Sequence, residues 1–231
     1  MNTPPLISVI VAVRNGERFL SQALQSIRDQ TYRPLEILVV DGQSTDRTAA
    51  IARSCAGVRY FWQPDQGVSN AYNYGLAQAQ GDLIAFLSYD DLWLPKKLAI
   101  QAGYLMAHPD CQYTVCRIRY FVEDGDSPPA GFRPELLEQT PVAYIMETLL
   151  ARRALFDLVG LHDPNLPTTG DVDWYARAFD AGVIGYVCAE TLVHKRVHSH
   201  NVSLNDTSTN AQLLDVLRRS VRRKHLDVTA P

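Results

Sequence analysis

Apolar residues follow two rhythms along this chain, and the rhythms alternate. Ile7–Val13 (ISVIVAV) is a continuous, mostly β-branched run, which predicts a strand buried on both faces, as in a parallel sheet. The polar turn Arg14-Asn15-Gly16 follows, and ERFLSQALQSIRDQ then sets Phe19, Leu20, Ala23, Leu24 and Ile27 at helical spacing. Leu35–Asp41 (LEILVVD) reads as a second buried strand that ends on a carboxylate. GQSTDRTAAIARSC predicts a second helix with Ser44 or Thr45 as its N-cap. VRYFWQ gives a third strand, GVSNAYNYGLAQAQG a helix closed by Gly81, and DLIAFLS a fourth strand.

This alternation predicts an α/β fold: right-handed crossovers and a doubly wound, mostly parallel sheet flanked by helices. In such sheets ligands sit beyond the carboxyl ends of the strands. Three polar features fall there: the Arg14-Asn15-Gly16 turn, Asp41, and the pair Asp90-Asp91. After Pro95 the alternation fades. Lys96–Ala107 reads as helix, QYTVCRIRYFVE as a strand with one solvated face, and Glu123–Pro134 as a loop rich in Gly, Pro and Asp. YIMETLLARRALFDLVG predicts a short strand or turn and then a helix ending at Gly160. HDPNLPTTG is a loop, and DVDWYARAFDAG a helix with Asp171 and Asp173 in its first turn. IGYVCAETLVHKRVH is strand-like, and residues 209–226 predict a basic helix. With no repeat and no long linker, residues 1–231 read as one domain.

Composition narrows the class. The chain has 231 residues, of which 46% are hydrophobic, enough for a sizeable core and too many for a disordered chain. A formal net charge of −3 argues against nucleic acid as a partner, so any basic function is local. Cys55, Cys111, Cys116 and Cys188 form no CxxC pair and lack zinc-ligand spacing; they predict free, mostly buried thiols in a reducing compartment. Met1–Pro5 carries neither the basic start nor the apolar core of a signal peptide. No run reaches the roughly 18 apolar residues of a membrane span. The expectation is a cytoplasmic protein.

The chemistry concentrates at GDLIAFLSYDDLWLP, where an apolar strand delivers two adjacent carboxylates, Asp90 and Asp91. Mg²⁺ and Mn²⁺ prefer carboxylate oxygen, and Mg²⁺ commonly takes one or two carboxylates plus substrate phosphates. The alternative is a solvated turn with Asp91 capping the next helix. Asp41 suits a hydrogen bond to a nucleotide base or ribose, or else an Asx-turn. Asp171 and Asp173 suit a helix N-terminus, or one of them faces a cleft as a general base. Lys195, Arg196, His198, His200 and Asn201 cluster as diphosphate or metal ligands, or as an ordinary polar loop. VLRRSVRRKH is a solvated helix face or a contact with an anionic membrane surface.

Taken together, these segments resemble family 2 glycosyltransferases of GT-A fold. ISVIVAVRNGERFLSQALQSIRDQTYRPLEILVVDGQSTDRT is similar to their N-terminal half, and PDQGVSNAYNYGLAQAQGDLIAFLSYDDLWLP to the segment leading into their metal-binding aspartates. GDVDWYARAFDAG resembles the helix that carries their catalytic base, and RVHSHNVS a His-containing segment near their C-terminal end. The resemblance spans Ile7 to Ser203. It implies a Rossmann-like nucleotide-binding half (1–95), a smaller mixed acceptor-side region (96–205) and a C-terminal basic helix (206–231).

It also implies a role for each candidate. Ala12, Val13, Arg14 and Asp41 would hold the nucleotide base. Asp90 would contact ribose or metal, and Asp91 the Mn²⁺ or Mg²⁺ that bridges the diphosphate, with His198 assisting. Asp171 would deprotonate a hydroxyl of a saccharide or lipid-linked acceptor, and direct displacement would invert the anomeric centre of a sugar carried by a nucleotide diphosphate. Three positions depart from the family's pattern: Ser88 stands for the first acid of Asp-x-Asp, Gly170 for the acid of Glu-Asp, and Gly42-Gln43 follows Asp41 where an Asp-Gly pair is common. The alternatives are a non-catalytic nucleotide-sugar binder of the same fold and a sugar nucleotidyltransferase. The latter lacks its Gly-rich loop at VRNGERFL, and a dinucleotide-binding dehydrogenase lacks GxGxxG after strand one.

Overall fold

Every residue of β1 (Ile7–Val13) is buried, because both faces of this central strand are covered. The computed structural model describes residues 3–201 and 209–228. Val202 and Ser203, which end the segment carrying the resemblance, the rest of 204–208, and the termini lie outside the described residues. β1 pairs in parallel with β2 (Leu35–Asp41) and with β4 (Leu83–Ser88), and β2 in parallel with β3 (Val58–Trp62). The polar ends of β1, β2 and β4 therefore share one rim. The registers Val13↔Asp41 and Ala12↔Ser88 put those ends level.

Alternate residues of β1 divide the core. Ile7, Val9, Val11 and Val13 pack with α1 (Leu20–Arg28), α2 (Thr48–Ser54) and α4 (Lys97–Ala107). Ile10 and Ala12 pack with α3 (Val68–Gln78), α5 (Ala154–Val159) and α6 (Gly170–Asp180). α3 approaches β1 closely at Gly75, where a Cβ would lie 2.4 Å from Ile10 Cγ2.

Past β4 the sheet becomes mixed. Its order is β3-β2-β1-β4-β7-β6-β8-β5. β7 (Leu150–Arg152) is antiparallel to β4 and to β6 (Tyr113–Phe121). β6 runs parallel to the long β8 (Gly185–Arg196), which takes β5 (Leu92–Trp93) antiparallel on its far side. β8 thus brings its polar end, Lys195 and Arg196, back to the tip of β4. A final helix, α7 (Thr209–Val228), lies against α6: Arg223 and Ser220 bond Asp180, and Arg219 bonds Asp163.

Local details differ from the sequence reading at two helix ends. α2 begins at Thr48, whose backbone N–H is capped by Asp46 Oδ1 at 2.9 Å; Ser44 instead accepts from Asn15 N–H at 2.8 Å. α3 ends at Gln78 with Ala79 extended, and Gly81 serves another purpose: a Cβ there would lie 2.6 Å from Leu6 O. Among the described residues all four cysteines are free, and three of them are buried. No described helix is long and apolar enough to cross a membrane.

Candidate functional site

Beyond β1 and β2, two loops are stitched together by polar contacts. Asn15 and Gln43 hold left-handed backbone at φ 51° and 66°, which non-glycine residues adopt only where their surroundings enforce it. Asn15 Oδ1 accepts from Thr45 N–H at 2.9 Å, and Gly16 N–H donates to Thr48 Oγ1 at 2.8 Å. Asp41 sits beneath these loops, 1% exposed. Its Oδ1 accepts from Ser44 N–H and its Oδ2 from Tyr60 O–H, both at 2.8 Å. Its carboxylate holds the turn at the end of β2. Ala12 and Val13 are buried at the strand tip, and Arg14 is exposed beside them.

The turn after β4 points its two carboxylates in different directions. Asp91 is fully buried. Its Oδ2 accepts from Lys195 Nζ and its Oδ1 from Arg196 N–H, each at 2.9 Å. With both oxygens engaged and no exposure, this carboxylate fastens β8 to the tip of β4. Asp90 faces the segment after β8 instead. Its Oδ2 lies 3.0 Å from His198 Nε2 and 3.4 Å from Asn201 Nδ2. Burial raises the cost of its charge, but the His198 bond and the nearby Lys195 charge outweigh this and hold its pKa below the ordinary value.

Arg196 locks the arrangement. Its Nε donates to Asp90 O at 2.7 Å and its Nη2 to Gln22 Oε1 at 2.6 Å, while Nη1 pairs with Glu123. The guanidinium lies over the Phe19 and Phe121 rings at 4.4 and 4.7 Å. β4, β8 and α1 are therefore fastened at one point next to Asp90.

A divalent cation fits the donor set of Asp90 and His198. One carboxylate oxygen and one imidazole nitrogen 3.0 Å apart can face a single ion, and the carboxylate suits Mn²⁺ or Mg²⁺. No group of three or more acidic, His or Cys side chains able to hold a metal occurs among the described residues. The protein would supply few ligands, the pattern expected where substrate phosphates complete the shell.

α6 begins at Gly170, and a Cβ there would lie 2.9 Å from Ser69 Oγ on α3. A side chain at this position would have to displace the Ser69 hydroxyl. Asp171 follows, partly exposed, and among the described residues its carboxylate bonds only the neighbouring Val172 N–H, at 2.8 Å. Burial and then the charge of Glu147 push its carboxyl up to about 6. Asp173 is different: it is buried and paired with Arg177 at 2.8 Å, so it braces the helix.

One residue of the site had no signal in the sequence reading. Glu147 lies in a single 3-10 turn, Met146–Thr148, only 7% exposed. It accepts a hydrogen bond from Ser88 Oγ at the end of β4, and its Oε1 lies 3.8 Å from Lys195 Nζ. Burial works against the Lys195 ammonium, yet Asp91, Glu147 and Asp90 together raise its pKa well above the ordinary lysine value. The one available hint was a charge inside the apolar stretch YIMETLL.

Similarities to known proteins agree with this fold. The family model described as glycosyl transferase family 2 matches residues 8–161. A glycosyltransferase of Rickettsia typhi is 32% identical over 220 residues, covering 87% of this chain and 68% of that protein. The putative glycosyltransferase EpsE of Bacillus subtilis is 29% identical, covering 86% and 76%. Among solved structures, Staphylococcus aureus TarS in complex with UDP-GlcNAc gives a TM-score of 0.74 at 18% identity, covering 94% of this chain and 66% of that one. The mannosyltransferase PcManGT of Pyrobaculum calidifontis, in complex with GDP-Man and Mn²⁺, gives 0.74 at 18%, covering 95% and 65%. This chain thus spans about two-thirds of each solved chain. With a family model matching most of its length, the chain belongs to family 2 of the glycosyltransferases.

Proposed function

We propose that this protein transfers a sugar from a nucleotide diphosphate to an acceptor hydroxyl with inversion, using a divalent cation. The observation that carries this reading is two carboxylates in contrasting settings: Asp90, bonded to His198, and Asp171, with its pKa raised to about 6. Residues 1–95 would hold the nucleotide, with Ala12, Val13 and Arg14 at the base and the Asp41-held turn beside them. Residues 96–205 would hold the acceptor, a saccharide or a lipid-linked saccharide. A cavity of about 220 Å³ lined by Tyr120, Phe132, Arg133, Lys195 and Asn201 opens on that side.

Asp90 and His198 would hold Mn²⁺ or Mg²⁺, whose charge offsets that developing on the departing diphosphate. TarS and PcManGT, crystallised with UDP-GlcNAc and with GDP-Man and Mn²⁺, support a donor and metal of this kind. Asp171 accepts the proton of the acceptor hydroxyl as that oxygen attacks the anomeric carbon. The setting explains why a carboxylate at a helix N-terminus is still basic enough. The helix end favours its charge, but burial and Glu147 outweigh that effect. A base near pKa 6 is deprotonated at neutral pH and still accepts a proton readily.

The free cysteines support a reducing, cytoplasmic setting. The outer face of α7 supports peripheral contact with its membrane. Leu214, Leu217 and Val221 are exposed at helical spacing, and Arg218 and Arg222 lie exposed beside them.

Release of nucleotide diphosphate from a panel of UDP- and GDP-sugars with Mn²⁺ tests the activity. Asp171→Asn should cut turnover on the order of 10²–10⁴-fold with little change in donor affinity. The sign of the pH dependence follows from the base being active only when unprotonated. The wild-type kcat/KM should fall as pH drops through about 6. Wild-type turnover in Asp171→Asn, or a flat profile from pH 5 to 7, would remove Asp171 from the role.

A further inference from the structure

The cavity between the end of β6 and the segment after β8 carries a charge pattern that the proposed transfer does not use. Three cationic side chains line it, Arg133, Lys195 and Arg196, and no carboxylate does. Two of the three are already matched. Lys195 Nζ lies 2.9 Å from Asp91 and 3.8 Å from Glu147. Arg196 pairs with Glu123 and donates to Asp90 O and Gln22 Oε1. Arg133 is different. It is exposed just ahead of the 3-10 turn Pro134–Glu138, and among the described residues nothing bonds its side chain. The acids of the same segment do not neutralise it. Glu123 pairs with Arg196 and Asp126 with Arg18, while Asp124, Glu135 and Glu138 are absent from the cavity wall.

The remaining wall is largely apolar. Tyr120 and Phe132, both half-buried, meet edge to face at 5.7 Å, and Leu136 lines the same cavity. A pyranose ring has C–H faces that pack on aromatic rings, and substituents that need a few well-placed polar partners. At about 220 Å³ the cavity is smaller than a drug-sized pocket and suits a single sugar ring. It also reaches the candidate site. Asn201 lines it, and Asn201 Nδ2 lies 3.4 Å from Asp90 Oδ2. A molecule in the cavity is therefore one side chain away from the carboxylate read as the cation's ligand.

We propose that this cavity binds an anionic sugar of the acceptor, with its ring against Tyr120 and Phe132 and its carboxylate or phosphate on Arg133. The inference rests on the transferase reading given above and adds the acceptor's chemical class. A planar guanidinium with no protein partner takes either anion through two parallel hydrogen bonds. The donor's diphosphate is the other anion within reach, and the experiment separates the two.

NMR titration of the whole chain with methyl glucuronide, glucose 6-phosphate and methyl glucoside tests the class, and calorimetry with UDP and GDP in Mn²⁺ reads the donor side. At least one anionic sugar should bind about tenfold more tightly than the neutral glucoside, the effect of one charge-assisted hydrogen bond. Arg133→Ala should remove that margin and leave UDP and GDP affinities as in the wild type. The side chain is exposed and makes no bond within the described protein, so its truncation spares the fold. Equal binding of charged and neutral sugars, no binding of any of them, or a margin that survives Arg133→Ala overturns the anionic acceptor and leaves the transferase reading standing. Weakened UDP or GDP binding in Arg133→Ala assigns the arginine to the donor's diphosphate and overturns the proposal as well. Absence of UDP and GDP binding to the wild type overturns the transferase reading and the acceptor role with it.

Discussion

Adjacent residues in a turn look alike in sequence and are given opposite duties by the fold. Asp90 and Asp91 are one peptide apart, yet Asp90 faces His198 while Asp91 is sealed against Lys195 and Arg196 N–H. Which member of the pair is fully sealed depends on where β8 ends, about a hundred residues later, so no local pattern reveals it. The different duties predict different losses. Asp91→Asn leaves Lys195 short of a buried partner and should lower unfolding stability by about 3 kcal/mol, read by denaturant titration. Asp90→Asn should change stability less and act on metal-dependent binding instead. Equal destabilisation by the two variants would contradict the division of labour. Glu147 was illegible for a related reason: its partners Ser88 and Lys195 lie far away in sequence on either side.

Elements with strong internal rhythm were legible, and those defined by distant partners were not. β1, β2, β4 and the helices between them follow from buried β-branched runs and apolar spacing. β5 and β7, with two and three residues, are too short to leave a pattern; they exist because β8, β4 and β6 offer backbone partners. Close helix–strand packing gives a further test. Alanine is usually worth up to about 1 kcal/mol more than glycine inside a helix. At Gly75 the added Cβ would press on the fully buried Ile10 at 2.4 Å, and overpacking costs about 1–3 kcal/mol. Gly75→Ala should therefore lower the melting temperature by a few degrees; a rise would show that α3 can shift away from β1 at little cost. α7 carries its own prediction. The chain should sediment with vesicles containing anionic phosphatidylglycerol and remain unbound to phosphatidylcholine vesicles. Leu217→Ser with Val221→Ser, and separately Arg218→Glu with Arg222→Glu, should each abolish the binding. Equal binding by these variants would remove α7 as the contact.

At the scale of the whole molecule, the sheet changes character where the site lies. A parallel half, β3-β2-β1-β4, presents strand ends and loops on one rim, and the mixed half returns β8 to the same rim. Arg196 joins the halves through Asp90 O, Gln22 and Glu123. This joint makes donor binding and fold integrity neighbouring properties, so the central claim is best tested by binding alone. UDP and GDP should be titrated calorimetrically into the wild-type chain with Mn²⁺, then with Mn²⁺ chelated, then into Asp90→Asn. One diphosphate should bind with Mn²⁺ and weaken at least about tenfold in both other cases, the loss of roughly one charge-assisted contact. Binding of equal strength without metal, or undiminished in Asp90→Asn, would contradict a cation held between Asp90, His198 and the diphosphate.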